Sequence, residues 1–316
     1  MARKRPRGVL ELGWACFESA AAKRTEHLPV NLIYPETVVK RIQFQAGGGL
    51  NWRISALTTP RDKPAPWKIV VVTGAPSWAE YWADALAALP QDREMIVVDR
   101  PGFANSEPVE YVGDIRLQAV ALSPLLEAAP GQKVLLIGQS YGAAIAAIMA
   151  AQTRRRLHGL VLLSGFFGET GPTAKWLVDL GSKVLPFIPR DLRNAIREVS
   201  EQRSQLQHLR EALSHLRIPI HLIHGEKDDF APISTAEKLI AETPTRAPIR
   251  FRRVPGANHF LNDGPTDQVL AILEECMPAE PEKKPLAIGA WLKGLWGRKP
   301  AVQTALPAPT ILHAAE

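Results

Sequence analysis

Two cysteines, Cys16 and Cys276, are the only ones in 316 residues, so neither a disulfide framework nor a cysteine-held metal cluster is suggested. No apolar run reaches the length that a bilayer span requires. Aromatic residues make up only 7% of the chain and nowhere alternate with basic residues as in an RNA-reading strand. The positive excess of +6 is scattered or gathered in the flanks, at Arg3, Lys4, Arg5 and Arg7 and again at Lys283, Lys284, Lys293, Arg298 and Lys299. It reads as solvated surface, and no nucleic-acid partner is expected. The first residues carry the charge of an export signal, but Glu11 interrupts the apolar stretch such a signal needs. A reducing, cytoplasmic location is therefore expected.

What remains is the balance of a globular protein, 46% hydrophobic and 22% charged, long enough for one large domain. The expected division is a helical, basic extension over 1–37, a globular domain over 38–277 and a Pro/Ala-rich tail over 278–316. Leu10, Trp14 and Phe17 share one face of the first helix. In the tail, Ile288, Trp291, Leu292 and Leu295 follow helical spacing among basic residues, which makes 283–300 a candidate for weak peripheral membrane contact. Nothing in the sequence specifies an oligomeric state.

Within 38–277 the periodicity changes once. Residues 38–57 read as a hairpin around Gly47, Gly48 and Gly49, its second arm alternating Trp52 and Ile54 with Asn51, Arg53 and Ser55. After residue 68 come short apolar runs, Ile69 to Val72, Met95 to Val98, Val134 to Ile137, Leu160 to Leu163, Ile218 to Ile223 and a weaker Ile249 to Val254. Helices are expected between them at 78–89, 114–129, 140–151, 233–241 and 267–277. Strands apolar on both sides belong in a parallel sheet covered by helices on both faces, so the fold class is α/β, a doubly wound, mostly parallel sheet. The gap after Leu163 is too long for a simple connection and predicts a short helical cap over about 165–215, above the carboxyl ends of the strands. Its Trp176, Leu177 and Phe187 are candidate pocket residues, or simply the core of the cap.

Gly138-Gln139-Ser140-Tyr141-Gly142 stands between the run Val134 to Ile137 and the helical AAIAAIMAA. A serine in so sharp a strand-to-helix turn takes a strained backbone, and flanking glycines leave room for it. Its hydroxyl is then presented at the sheet edge, beside the positive end of a helix. A tight glycine turn with a capping serine would use the same residues without chemistry.

The motif and its setting resemble the α/β-hydrolase superfamily over about residues 38–277. That resemblance implies the order serine, acid, histidine along the chain, with Ser140 as nucleophile. Gly225-Glu226-Lys227-Asp228-Asp229-Phe230-Ala231-Pro232 is similar to the family's G-x-x-D-x-x-x-P loop, which makes Asp228 the acid and leaves Asp229 as its neighbour and alternative. His259, in Pro255-Gly256-Ala257-Asn258-His259-Phe260, is the candidate base, because an imidazole titrates near neutral pH and can both take and return a proton. His221 and His224 lie in or at the end of an apolar strand and read as core histidines. By resemblance Ala75, in Thr73-Gly74-Ala75-Pro76, supplies one oxyanion-hole N–H and Tyr141 the other; Thr73 stands where relatives usually carry histidine. Asp99-Arg100-Pro101-Gly102-Phe103-Ala104-Asn105-Ser106 looks like the family's turn after the second parallel strand and is read as a fold marker without catalytic role.

The expected reaction is carboxylic-ester hydrolysis through an acyl-enzyme, esterase- or lipase-like, on a small acyl substrate, with no metal or organic cofactor implied. The same triad also serves thioester, amide and carbon-carbon bond hydrolysis and acyl transfer, and a hydrolase fold can host a non-catalytic binding protein. Serine at 140 disfavours the branches whose nucleophile is aspartate.

Overall fold

The computed structural model describes residues 34–261 and 266–277. The expected basic extension up to residue 33, the tail from 278 and the segment 283–300 lie outside the described residues. Among the described residues eight strands form one sheet: β1 Lys40–Gln45, β2 Arg53–Thr58, β3 Trp67–Val72, β4 Arg93–Val98, β5 Lys133–Gln139, β6 Gly159–Leu163, β7 Ile220–Gly225 and β8 Ile249–Val254. The helices are α1 Ala83–Ala87, α2 Ile115–Leu122, α3 Gly142–Gln152, α4 Pro172–Lys183, α5 Arg190–Glu201, α6 Leu206–His215, α7 Ile233–Glu242 and α8 Thr266–Cys276.

Strand order is β1-β2-β4-β3-β5-β6-β7-β8. The hairpin β1–β2 joins β4 antiparallel, and every pairing from β4 to β8 is parallel. The central strands are apolar on both sides because both sides are covered. Val70 and Val72 join the core under α2, α3, α6 and α7, while Ile69 and Val71 face α1 and α8. Burial of each such side chain stabilises the fold by about 1.5–3 kcal/mol. The chain leaves β3 toward β4 on one side and reaches β5 on the other, so a crevice opens at the carboxyl ends of β3 and β5.

Several element ends differ from the sequence reading for local reasons. The helix expected over 114–129 begins where the Asp114 carboxylate caps the Arg116 and Leu117 N–H groups, but it stops at Leu122. A 3-10 turn, Ser123–Leu126, replaces its second half, because Pro124 has no N–H to continue the helix. The helix expected over 78–89 is a 3-10 turn, Ala79–Trp82, followed by α1.

The cap is shorter than the expected 165–215. It comprises α4, a 3-10 turn at Leu185–Phe187, α5 and a second turn at Gln202–Gln205. Beyond that, α6 belongs to the sheet layer: Leu209, Ala212 and Leu213 are buried in the same core as Leu160, Leu162 and Leu222. The apolar spacing of Leu206, Leu209, Leu213 and Leu216 is the pattern of a helix laid on a sheet. Among the described residues no helix is long and apolar enough to cross a membrane.

Candidate active site

Ser140 directly follows β5 with a φ of 51°, in the left-handed region that non-glycine residues rarely occupy. The turn is locked from both sides: Ser140 N–H donates to Leu163 O, and Ser140 O accepts from Ala143 and Phe166 N–H. A Cβ on Gly142 would lie 2.3 Å from Val72 O and 2.5 Å from Thr73 O, so only glycine lets the helix start against β3. The sequence thereby brings Ser140 against the loop that follows β3, as expected of a strand–serine–helix elbow.

Two loops further along the sheet deliver the partners. His259, after β8, lies with Nε2 3.0 Å from Ser140 Oγ and Nδ1 2.8 Å from Asp228 Oδ2. The carboxylate only accepts, so the proton sits on Nδ1 and Nε2 is left to accept from the serine hydroxyl. The Phe230 ring stacks on the imidazole at 5.4 Å and Phe260 meets it edge-on at 5.3 Å, which fixes its plane. Asp229, the alternative acid, points elsewhere, its carboxylate accepting from the Thr173 hydroxyl.

Asp228 has a fully buried side chain. Its Oδ1 accepts from Phe230 N–H at 3.0 Å and Ala231 N–H at 2.8 Å, and its Oδ2 faces two histidines, His259 and His224. Burial alone would raise the carboxyl's pKa; hydrogen bonds from His224 and His259, electrostatic attraction to His259 and the Ala231 N–H outweigh it and hold the group well below the usual carboxylate range. His224, read from the sequence as a core histidine, is buried and also contacts Asp228. Its Nε2 is 2.7 Å from Ala231 O, which can only accept, so Nε2 carries the proton and shares it with Asp228 Oδ2 at 3.1 Å.

The loop after β3 passes the serine at close range: a Cβ on Gly74 would be 2.9 Å from that of Ser140. Thr73, where relatives usually carry histidine, donates from Oγ1 to Val98 O at 2.9 Å and accepts from Ser77 Oγ, which in turn accepts from Arg100 N–H. Arg100 completes the bracing. Its guanidinium donates to Thr73 O and Gly74 O, pairs with Glu198 on α5 through two nitrogens, and lies over the rings of Phe103 and Tyr141. Both charged side chains are fully buried. Burial raises the Glu198 carboxyl against the pull of Arg100 and Gln118.

Ser140 and His259 open into a cleft of about 740 Å³, part of it solvent, lined by Ala75, Tyr81, Phe166, Ala174, Val199, Phe230 and Phe260 among others. Trp176, Leu177 and Phe187, the pocket candidates, do not line it. Phe187, on the turn after α4, is 89% exposed, and α4 turns Ala174 toward the cleft while Trp176 is 57% exposed. Among the described residues no group of three or more His, Cys, Asp or Glu could hold a metal ion.

A family model for the alpha/beta hydrolase fold matches residues 68–195. Over 210 residues the chain is 22% identical to the 2-hydroxy-6-oxononadienedioate/2-hydroxy-6-oxononatrienedioate hydrolase 2 of Pseudomonas putida, covering 54% of this chain and 73% of that one. A hydrolase 1 of the same description from Dechloromonas aromatica (strain RCB) is 32% identical over 101 residues, 32% of this chain and 34% of the relative. An esterase from Exiguobacterium antarcticum has a similar fold, with a TM-score of 0.59 at 16% identity over 75% of this chain and 99% of that one. The hydrolase relatives support a hydrolase. By its sheet order and the family-model match over residues 68–195, the chain has the α/β-hydrolase fold.

Proposed function

We propose that the chain is a serine hydrolase of carboxylic esters, with Ser140 as nucleophile, His259 as general base and Asp228 as the acid that orients it. One observation carries the reading: Ser140 Oγ, both His259 nitrogens and Asp228 Oδ2 form an unbroken hydrogen-bonded line at the floor of the cleft. As Oγ bonds to the ester carbon, its proton passes to His259 Nε2 and then to the departing alcohol. Water next gives a proton to His259, attacks the acyl group and releases the acid with Ser140 restored. The Ala75 and Tyr141 N–H groups are the proposed donors to the oxyanion, each contributing about 3 kcal/mol.

The cleft supports an acyl substrate without charge. Among the described residues its lining has aromatic rings from Tyr81, Phe166, Phe230 and Phe260 and no lysine or arginine. An unpaired carboxylate would be desolvated there at a cost of several kcal/mol. Carbon-carbon bond hydrolysis is the second reading, favoured by the names of the two curated relatives, whose substrates are dicarboxylates. Nitrophenyl esters of increasing acyl length, run beside 2-hydroxy-6-oxononadienedioate, separate the two. The proposal expects turnover of the esters, improving as the acyl chain fills the cleft; turnover of the dicarboxylate alone would replace it with the second reading.

A further inference from the structure

We propose that Arg100 and Glu198 are positioning residues through which the cap sets the geometry of both oxyanion donors. The inference rests on the serine-hydrolase reading above and concerns residues that touch no reacting atom.

Arg100 Nε is 2.9 Å from Thr73 O and Nη2 is 2.7 Å from Gly74 O, the last two carbonyls before Ala75. The direction of the Ala75 N–H follows the peptide plane that Gly74 O shares. The same guanidinium carbon lies 4.9 Å from the centre of the Tyr141 ring, the other donor residue. Two of its three remaining N–H groups go to the cap, Nη1 to Glu198 Oε1 at 2.6 Å and Nη2 to Glu198 Oε2 at 2.7 Å. Gln118 fixes the pair on α2, accepting from Arg100 Nη1 at 2.8 Å and donating to Glu198 Oε1 at 2.8 Å. A fork-shaped donor with all these partners has one orientation.

Glu198 sits on α5, a cap helix fastened to the body of the protein by several hydrogen bonds. Along α5, Asp191 accepts from Trp78 Nε1 and Ala104 N–H, Asn194 donates to Gly102 O and Glu201 accepts from the Tyr111 hydroxyl. The next residue, Val199, lines the cleft. A substrate that presses on this wall therefore acts on the helix that holds Arg100. Two buried charges are costly unless paired, and a pairing of this geometry at the oxyanion loop holds that loop to one position.

Glu198→Gln keeps the shape and removes the charge that orients Arg100. In the full chain it is expected to lower kcat on nitrophenyl butyrate about 10- to 100-fold, the usual penalty for a small misplacement of reacting groups, with KM within twofold. Butylboronic acid, which Ser140 converts into a tetrahedral anion, is expected to bind more weakly by a similar factor. Ile196→Val, on the same helix but away from the pair, is expected to lower the melting temperature and change neither number. A Glu198→Gln protein that melts earlier yet keeps kcat and boronate affinity within twofold of the parent overturns the proposal. If Glu198→Gln does not fold, Glu198→Asp, which keeps the charge on a shorter stem, is read by the same two numbers. A parent protein that neither turns over the ester nor binds the boronate sinks the serine-hydrolase reading itself, and this inference with it.

Discussion

His224 and His259 approach the same oxygen of Asp228, at 3.1 and 2.8 Å, the first from the end of β7 and the second from the loop after β8. With two backbone N–H groups on the other oxygen, the carboxylate is surrounded by donors and favours its charged form. Its folded pKa lies below its unfolded value, so its contribution to stability is present above about pH 4 and is lost as pH falls through the folded value. Urea unfolding of the parent and of Asp228→Asn is therefore expected to differ most near neutral pH, with the gap narrowing as the pH drops below 4. A gap that widens toward acid would contradict the assignment.

The same carboxylate separates the two acid candidates by kinetics. Asp228→Asn is expected to lower kcat by about 10³- to 10⁴-fold, because the amide can stabilise the wrong imidazole tautomer. Asp229→Asn, exposed and bonded to Thr173, is expected to stay within threefold. Steady-state rates on one nitrophenyl ester decide it, and a reversed ranking would move the acid to Asp229.

Legibility followed the range of the signal. Ser140, Asp228 and His259 each stand in a short local pattern, and the structure brings those three side chains together. Arg100 is readable as part of a turn but not as a brace, because Glu198 is 98 residues away, in a densely charged helical stretch. His224 gave the signal of a core histidine, and it is one, with Asp228 as neighbour. The cap misled in a different way. Trp176, Leu177 and Phe187 mark the apolar face of the cap sequence, whereas packing decides what meets the cleft, and the small Ala174 lies there. At the other end of the insertion, the leucine spacing of α6 was visible in the sequence but submerged in its charged neighbours.

The elbow itself depends on a missing side chain. Gly142→Ala would drive a methyl group into the carbonyl oxygens of Val72 and Thr73, which are backbone and cannot swing aside. A loss of about 3 kcal/mol is expected, read as a fall in the urea midpoint. An unchanged midpoint would show that α3 does not start against β3 as described.

Cys276 bears on which nucleophile to consider. It is buried against the sheet, and that burial, with Glu275 beside it, pushes its thiol up to about 12. At pH 8 about one molecule in 10⁴ carries the thiolate, so native protein treated with iodoacetamide is expected to leave Cys276 unmodified in peptide mass spectra. Rapid alkylation there would refute the burial.

The central claim is that Ser140 is made nucleophilic by His259, and a fluorophosphonate probe tests it most directly. Intact-mass and peptide analysis is expected to find one adduct, on Ser140, absent from Ser140→Ala and strongly slowed in His259→Ala. No adduct, or one that persists in Ser140→Ala, would contradict the account.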